Sequence, residues 1–462
     1  VATKQIHPDR IKQLNNKPAR DGSYVLYWMQ QSQRAEFNHA LEYAIQRAND
    51  LDQPCLVGFG LMDDYPEANA RHYYFMLEGL QDTQQELAKR NIKLVVQRGR
   101  PAEIATKLAK DASEVICDRG YLRHQRQWRE DVAGACPCTM TEVECDVIIP
   151  VETASQKAEW AARTIRPKLH KHLDQHLINL RTTAIKKSSL PLHVTGLDLS
   201  DVDALCRSLK LDTSIKPVPQ FFKGGATEAK RRFRQFLDKK LSRYNANRNQ
   251  PHTDDTSHMS PYLHFGQIAP SWLVLQATEL EPGEDRDSFI EELLVRRELA
   301  MNFVYYTPDY DSYTCLPDWA QKTLAEHKGD TREYVYTQSQ LENADTHDPY
   351  WNAAMNEMRA TGYMHNYMRM YWGKKILEWT NTPDHGFRTA LYLNNKYFLD
   401  GRDANSYGNV AWCFGLHDRA WTEREIFGKV RYMNANGLRR KCDMDAYIQK
   451  VDGLRARAGL NT

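Results

Sequence analysis

YVLYWMQQSQRAEFNHALEYAIQRA, Tyr24 to Ala48, joins two different periodicities. YVLYWM is a short apolar run closed by a polar turn, the pattern of a strand buried on both faces. In AEFNHALEYAIQRA the apolar residues recur at three- and four-residue spacing, which is one face of a helix. The alternation continues through PCLVGFGL (Pro54–Leu61), IKLVVQRG (Ile92–Gly99), the helical EIATKLAKD (Glu103–Asp111), EVICD (Glu114–Asp118) and EVECDVIIP (Glu142–Pro150). It predicts a doubly wound parallel sheet, a Rossmann-like α/β unit. Ligands of such sheets sit at the carboxyl ends of the strands, where Met29, Gln30, Arg34, Asp63, Arg98 and Asp118 are the candidates. No glycine-rich turn follows the first strand, so a dinucleotide fingerprint is absent and a nucleotide-binding enzyme built on this sheet lacks its phosphate loop.

Outward from the sheet, 462 residues predict more than one core. The amino-terminal α/β unit is assigned to residues 1–152, a connector to 153–225 and a large all-α domain to 226–462. In the connector, ASQKAEWAARTIRPKL reads as helix up to about Pro167, and IKKSSLPLHVTGLDLSD carries turn formers with little period. Beyond Gly225 nearly everything reads as helix, broken at Pro251, Pro261, Pro308, Pro317, Pro349 and Pro383. A domain of this kind holds a ligand between its helices.

With 62 basic and 60 acidic residues the chain is no polycation, so any nucleic-acid contact is local. Basic residues cluster between Lys230 and Arg248 and between Lys429 and Lys441, as solvated helix faces also do. Nine scattered cysteines fit a reducing compartment, and Cys136, Cys138 and Cys145 lack a fourth ligand at a zinc spacing, so no metal is expected. The polar start VATKQIHPDR and the lack of a long apolar run predict a soluble cytoplasmic protein without membrane contact.

Two stretches carry chemistry. In YMHNYMRMYWGKKILEW, Tyr363 to Trp379, a helix sets Trp372 and Trp379 two turns apart on one face, a spacing that serves an electron relay or a packed core. In DTSHMSPYLHFGQIAP, Asp255 to Pro270, Thr256, Ser257 and Ser260 precede a proline-started helix; they either cradle an anion or only cap that helix.

TSxxSPYLHFG resembles the flavin-binding region of the photolyase and cryptochrome family. EELLVRRELAMNFVYY (Glu291–Tyr306), THDPYWNAAMNEMRATGYMHNYMRMYWGKKILEW (Thr346–Trp379) and LNNKYFLDGRDANSYGNVAWCFGLHDRAWTEREIFGKVRYM (Leu393–Met433) follow in the order and wording of the class II cyclobutane-pyrimidine-dimer photolyases. The resemblance implies FAD, working in its reduced anionic form, and a light-driven lyase acting on a pyrimidine dimer in ultraviolet-damaged DNA. A deazaflavin antenna is found in some members, and a monomer is the default. The rival is a cryptochrome-type photoreceptor with FAD but no repair.

Carried over by position, Thr256, Ser257, Met259 and Ser260 would wrap the FAD phosphates beside Tyr244 and Arg297. Arg369 and Asp400 would pair over the isoalloxazine, and Asn394 would lie near its N5. Glu292, Met370 and Trp412 would meet the dimer, with Arg296 where many relatives have a flanking tryptophan. Trp372, Trp351 and Trp379 would relay electrons, and Arg248, Trp421, Lys429 and Arg431 would meet the duplex. Without DNA, Glu292 is expected to pair with Arg296 at i,i+4. A relative specific for the six-four photoproduct would carry a histidine pair, which His365 alone does not supply.

Overall fold

The structure, a computed structural model, describes residues 6–460, so the first five residues of VATKQIHPDR lie outside it. Six strands form one sheet: β1 (Ile11–Gln13), β2 (Tyr24–Trp28), β3 (Cys55–Leu61), β4 (Lys93–Arg98), β5 (Ala112–Asp118) and β6 (Thr139–Val143). Their order is β1-β6-β5-β2-β3-β4, with β2 to β6 parallel and β1 antiparallel on the edge. Four helices, α1 (His39–Asp50), α2 (Ala70–Lys89), α3 (Pro101–Ala109) and α4 (Arg123–Ala135), connect the parallel strands. The winding reverses between β2 and β5, the doubly wound topology. Every residue of β2, β3 and β5 is buried, which explains their unbroken apolar runs. Strand β1 has no counterpart among the sequence expectations; three residues, IKQ, are too few to show a period.

EVECDVIIP is a correction. Its strand ends at Val143, and Glu144 to Pro150 is irregular although almost wholly buried. Buried irregular backbone needs side-chain partners. Arg10 donates to the carbonyls of Glu144 (3.0 Å), Val147 (3.1 Å) and Ile148, and the Glu298 carboxylate accepts from the amides of Ile148 and Ile149. Arg10→Met would strand those carbonyls, and we expect a loss of about 3 kcal/mol or more, read from the urea midpoint.

The connector helix is the second correction: it spans Ala162–His176 and runs through Pro167. One backbone hydrogen bond is lost there, while Ile165 and Leu169, buried on either side, keep the helix packed. Elsewhere the prolines mark helix boundaries as expected. Pro349 and Pro383 open helices, Pro261 follows the first residue of another, and Pro317 caps one.

Beyond Lys223 the described residues form helices and turns with no strand. Arg71 of α2 ties the sheet unit to them, donating to the carbonyls of Met358 (3.2 Å), Arg359 (2.7 Å) and Tyr397 (3.0 Å) at two helix ends. Gly362, at φ 74°, ends the Pro349–Thr361 helix in the left-handed region, and a Cβ there would press on Leu399 at 3.0 Å. No helix among the described residues is long and apolar enough to cross a membrane.

Candidate active site

His365 caps the Asn366–Trp379 helix, its Nδ1 accepting from the Tyr367 amide at 3.2 Å. Burial, with Lys450 and His258 nearby, pushes the imidazole down to about 3, so the cap stays neutral. One turn in, Arg369 forms a two-pronged pair with Asp400, 3.0 and 3.1 Å. Its Nε donates to the Met364 carbonyl, and its guanidinium lies 3.9 Å from the Phe398 ring centroid and 5.3 Å from that of Tyr363. The cation is therefore fixed on every side by acceptors and ring faces.

Tyr363 also lines a cavity of about 490 Å³, into which Thr256 and Ser257 open. Arg231, Arg232, Lys240, Lys450 and Arg457 line it against Asp254 and Glu357, and Phe222 and Phe236 supply flat walls. His258 and Lys240 pull the exposed Asp254 below the usual carboxylate range. Hydroxyls, a surplus of cations and aromatic faces are the donor set that a dinucleotide diphosphate and its ring systems require.

The other phosphate candidates are more dispersed. Ser260 begins the short Ser260–His264 helix, and Met259 is buried in an apolar cluster with Phe222 and Phe236. Tyr244 is buried edge-on to Phe236 and Phe289, beneath Arg248. Arg297 lines a separate small cavity with His264 and Asp403 and donates to the Asp146 carbonyl at 2.6 Å. Asn394 is buried and donates to Asn395 at 3.0 Å.

The tryptophans form a connected chain. Trp351 Nε1 donates to the Trp372 carbonyl at 3.1 Å, and the Trp351 and Trp379 rings lie 5.7 Å apart. Trp379 is only 2% exposed and next meets Tyr336 at 5.4 Å and His347 at 5.3 Å. Tyr336 hydroxyl and His347 Nδ1 are 2.7 Å apart, and His347 stacks at 3.6 Å on Tyr334, which is 38% exposed. The contiguous aromatic rings thus reach the surface as a tyrosine–histidine stack. Trp372 Nε1 is buried without a hydrogen-bond partner, an orphan that a bound acceptor would satisfy.

Glu292 does not pair with Arg296. Glu292–Arg296 is a π-helical turn in which Arg297 N–H bonds the Glu292 carbonyl five residues back. That widening brings residues five apart into register. Arg296, exposed, accordingly pairs with Glu291 at 3.4 Å, and Glu292 pairs with Arg248. The i,i+4 rule presumed an α turn, and no local signal marks the inserted residue.

Trp412, half-buried near the end of the Ala404–Cys413 helix, has Lys374 Nζ 4.9 Å and the Arg431 guanidinium 5.7 Å from its centroid. Arg431 also lies 4.8 Å from Trp421, which is 39% exposed and has Arg419 at 5.2 Å. Lys429 is exposed near Glu423, and Met370 is half-buried beside Arg369. Sequence reasoning passed over Lys374, Tyr363, Tyr336 and His347. Only the aromatic density of YMHNYMRMYWGKKILEW hinted at Tyr363.

The comparisons with known proteins agree with one another. A family model described as DNA photolyase matches residues 25–188. The chain is 52% identical to the deoxyribodipyrimidine photo-lyase of Methanothermobacter thermautotrophicus, over 97% of this chain and 99% of that one. It is 39% identical to the deoxyribodipyrimidine photo-lyase of Oryza sativa, over 96% of this chain and 90% of that one. In fold it is similar to a bacterial class III photolyase from Agrobacterium tumefaciens, with a TM-score of 0.73, 17% identity and coverage of 96% of this chain and 93% of that one.

Proposed function

The chain belongs to the DNA photolyase family, and we propose that it is a deoxyribodipyrimidine photo-lyase of the class II type, splitting pyrimidine dimers in ultraviolet-damaged DNA under blue light. The observation that carries the reading is a fixed guanidinium, Arg369, beside a cavity lined by hydroxyls and cations, on the helix that starts the aromatic chain to the surface. A signalling photoreceptor has no need of the Arg248–Glu292 pair or of the cation-flanked Trp412.

Thr256, Ser257 and Ser260 would hold the FAD diphosphate, with Arg232 and Lys240 balancing its charge and Met259, Tyr244 and Arg297 shaping the pocket around it. Arg369, Asp400 and Asn394 would hold the ring. Bound FAD, in its reduced anionic form, supplies the electron that opens the cyclobutane ring and is returned afterwards, so no net redox change occurs. Arg369 keeps a positive charge where an anionic ring is bound, and Asp400 and two ring faces prevent it from swinging away. Arg248, Lys429 and Arg431 take phosphates, and Trp421 fills the gap that an extruded dimer leaves in the duplex. Extrusion is the general solution of photolyases as a class, because a base held in the stack cannot reach a buried pocket. Glu292, Met370 and Trp412 receive the dimer, with Arg296 at its flank.

Residues 1–152 serve as the antenna-type domain and 226–462 as the catalytic one. A second pigment such as a deazaflavin would enter the cleft lined by Met29, Phe59, Tyr65, Trp128 and Phe265. At about 90 Å³ that cleft is narrow, and no step depends on it. Nine free thiols suit a reducing cytoplasm, and we take the enzyme as a monomer.

The test is the absorption spectrum of the purified protein and the amount of FAD released on denaturation, followed by illumination with a reductant and dimer-containing oligonucleotide. Light-dependent recovery of base absorbance supports the reading. FAD without recovery favours the photoreceptor, and no FAD even after reconstitution overturns both. Tyr336→Phe is expected to shorten the lifetime of the light-separated charge while leaving repair unchanged, because it removes the phenol hydroxyl 2.7 Å from His347 Nδ1, where the proton of an oxidised tyrosine would go. Transient absorption measures it.

A further inference from the structure

Lys374 places an ammonium inside the helical part. It is 0% exposed, on the same helix as Trp372, and among the described residues it has no carboxylate partner. Its ammonium donates to the Cys413 carbonyl at 2.6 Å and lies over the Trp412 ring at 4.9 Å. Cys413 is the last residue of the Ala404–Cys413 helix, so the ammonium sits at the negative end of that helix dipole. A buried ammonium is retained against a desolvation cost of several kcal/mol. A methionine would fill the same space without that cost. What the charge adds is hold on two things at once, the end of a helix and the indole one residue before it.

The surroundings make that hold directional. Arg431, half-exposed, also lies over Trp412 and reaches Trp421, so cations and indoles alternate from Lys374 outward to Arg419. Arg431 is free to exchange Trp412 for a phosphate, because no carboxylate pairs with it among the described residues. Lys374 has no such freedom. When Arg431 leaves, the buried ammonium is the contact that keeps the indole in place.

We propose that Lys374 is a positioning residue of the lesion pocket, whose ammonium clamps Trp412 between the end of its helix and the incoming base. The proposal rests on the reading of Trp412 as the ring that meets the flipped-out dimer. The titratable groups facing Lys374 are Cys413 at its acceptor, and Asp418 and Arg431 from the segments beyond; Asp418 and Cys413 favour its charge and Arg431 opposes it. Burial dominates and draws it down to about 8. Between that value and the ordinary lysine range the unfolded chain binds the proton and the folded one does not. Stability therefore rises with pH through that window, and the charge is carried at neutral pH at the expense of stability.

The experiment compares the holoenzyme with Lys374→Met. Dimer-containing DNA should bind wild type with an affinity that falls as pH rises from 7 to 9, while Lys374→Met binds weakly and without that dependence. The expected loss at pH 7 is about thirtyfold, the scale of a desolvated cation–π contact. The melting temperature of Lys374→Met at pH 7 should equal or exceed that of wild type, which a merely structural lysine would not allow. Trp412 emission, isolated by difference with Trp412→Phe in DNA-free protein, should titrate near pH 8 in wild type and not in Lys374→Met. Wild-type affinity with an unchanged pH profile in Lys374→Met overturns the proposal, as does Trp412 emission that ignores the substitution. Wild-type protein that shows no preference for dimer DNA would count against the photolyase reading instead, and the emission titration still decides whether Lys374 holds the ring.

Discussion

Trp372→Phe is expected to slow light-driven reduction of bound oxidised FAD by roughly a hundredfold or more, equivalent to about 2.7 kcal/mol on the barrier. Repair by enzyme whose flavin has been reduced with dithionite should stay within about twofold of wild type under the same rate arithmetic. Trp372 would start the relay: its carbonyl receives the Trp351 indole N–H, and Trp351 is 5.7 Å from Trp379. A benzene ring at 372 keeps the packing against Phe398, 6.3 Å away, but surrenders an electron far less readily than an indole. The electron would then have to cross the gap from Trp351 in one longer step. Repair needs no electron from the chain, because the one that enters the dimer comes back. Stopped-flow or flash photolysis at flavin wavelengths reads the first quantity, and recovery of base absorbance the second. Equal loss of both, with FAD content unchanged, would remove Trp372 from the relay and make it a residue of the repair step.

The sheet was legible because its strands are buried on both faces, and such strands need no alternation to be found. EVECDVIIP misled for the same reason. Its apolar residues are just as buried, but Arg10 and Glu298, 138 and 150 residues away from Ile148, satisfy its backbone, and no local pattern shows that. Pro167 misled because a proline costs a helix one bond, and the burial of Ile165 and Leu169 exceeds that cost. At the site, the family resemblance brought Arg369 and Asp400 together, and they are found paired; periodicity says nothing about a contact 31 residues apart. Lys374 was invisible in principle. Nothing local separates the two lysines of GKKIL, and only the tertiary fold shows Lys374 buried under an indole and Lys375 paired with Glu378 at 2.6 Å.

Glu292→Ala is expected to lower the quantum yield of repair by about ten- to a hundredfold, below the roughly hundred- to thousandfold cost of removing one oxyanion-hole donor. Affinity for dimer-containing DNA should change much less. The asymmetry follows from Arg248, which closes on Glu292 in the free protein. On binding, a phosphate would compete for Arg248, and the carboxyl left behind would face a pyrimidine carbonyl. A hydrogen bond donated from this side chain to that oxygen would stabilise the base most when the injected electron resides there. The alanine variant loses this donor but also loses the competitor for Arg248, so phosphate binding is preserved. Glu292→Gln separates the two effects, because its amide N–H still donates and its neutral oxygen holds Arg248 far more weakly than a carboxylate does. Gln should therefore recover most of the yield that Ala loses, while both variants bind DNA at least as tightly as wild type. A glutamine variant as poor as the alanine one would mean that the mobile proton itself is required, and an alanine variant with wild-type yield would take Glu292 out of the mechanism altogether.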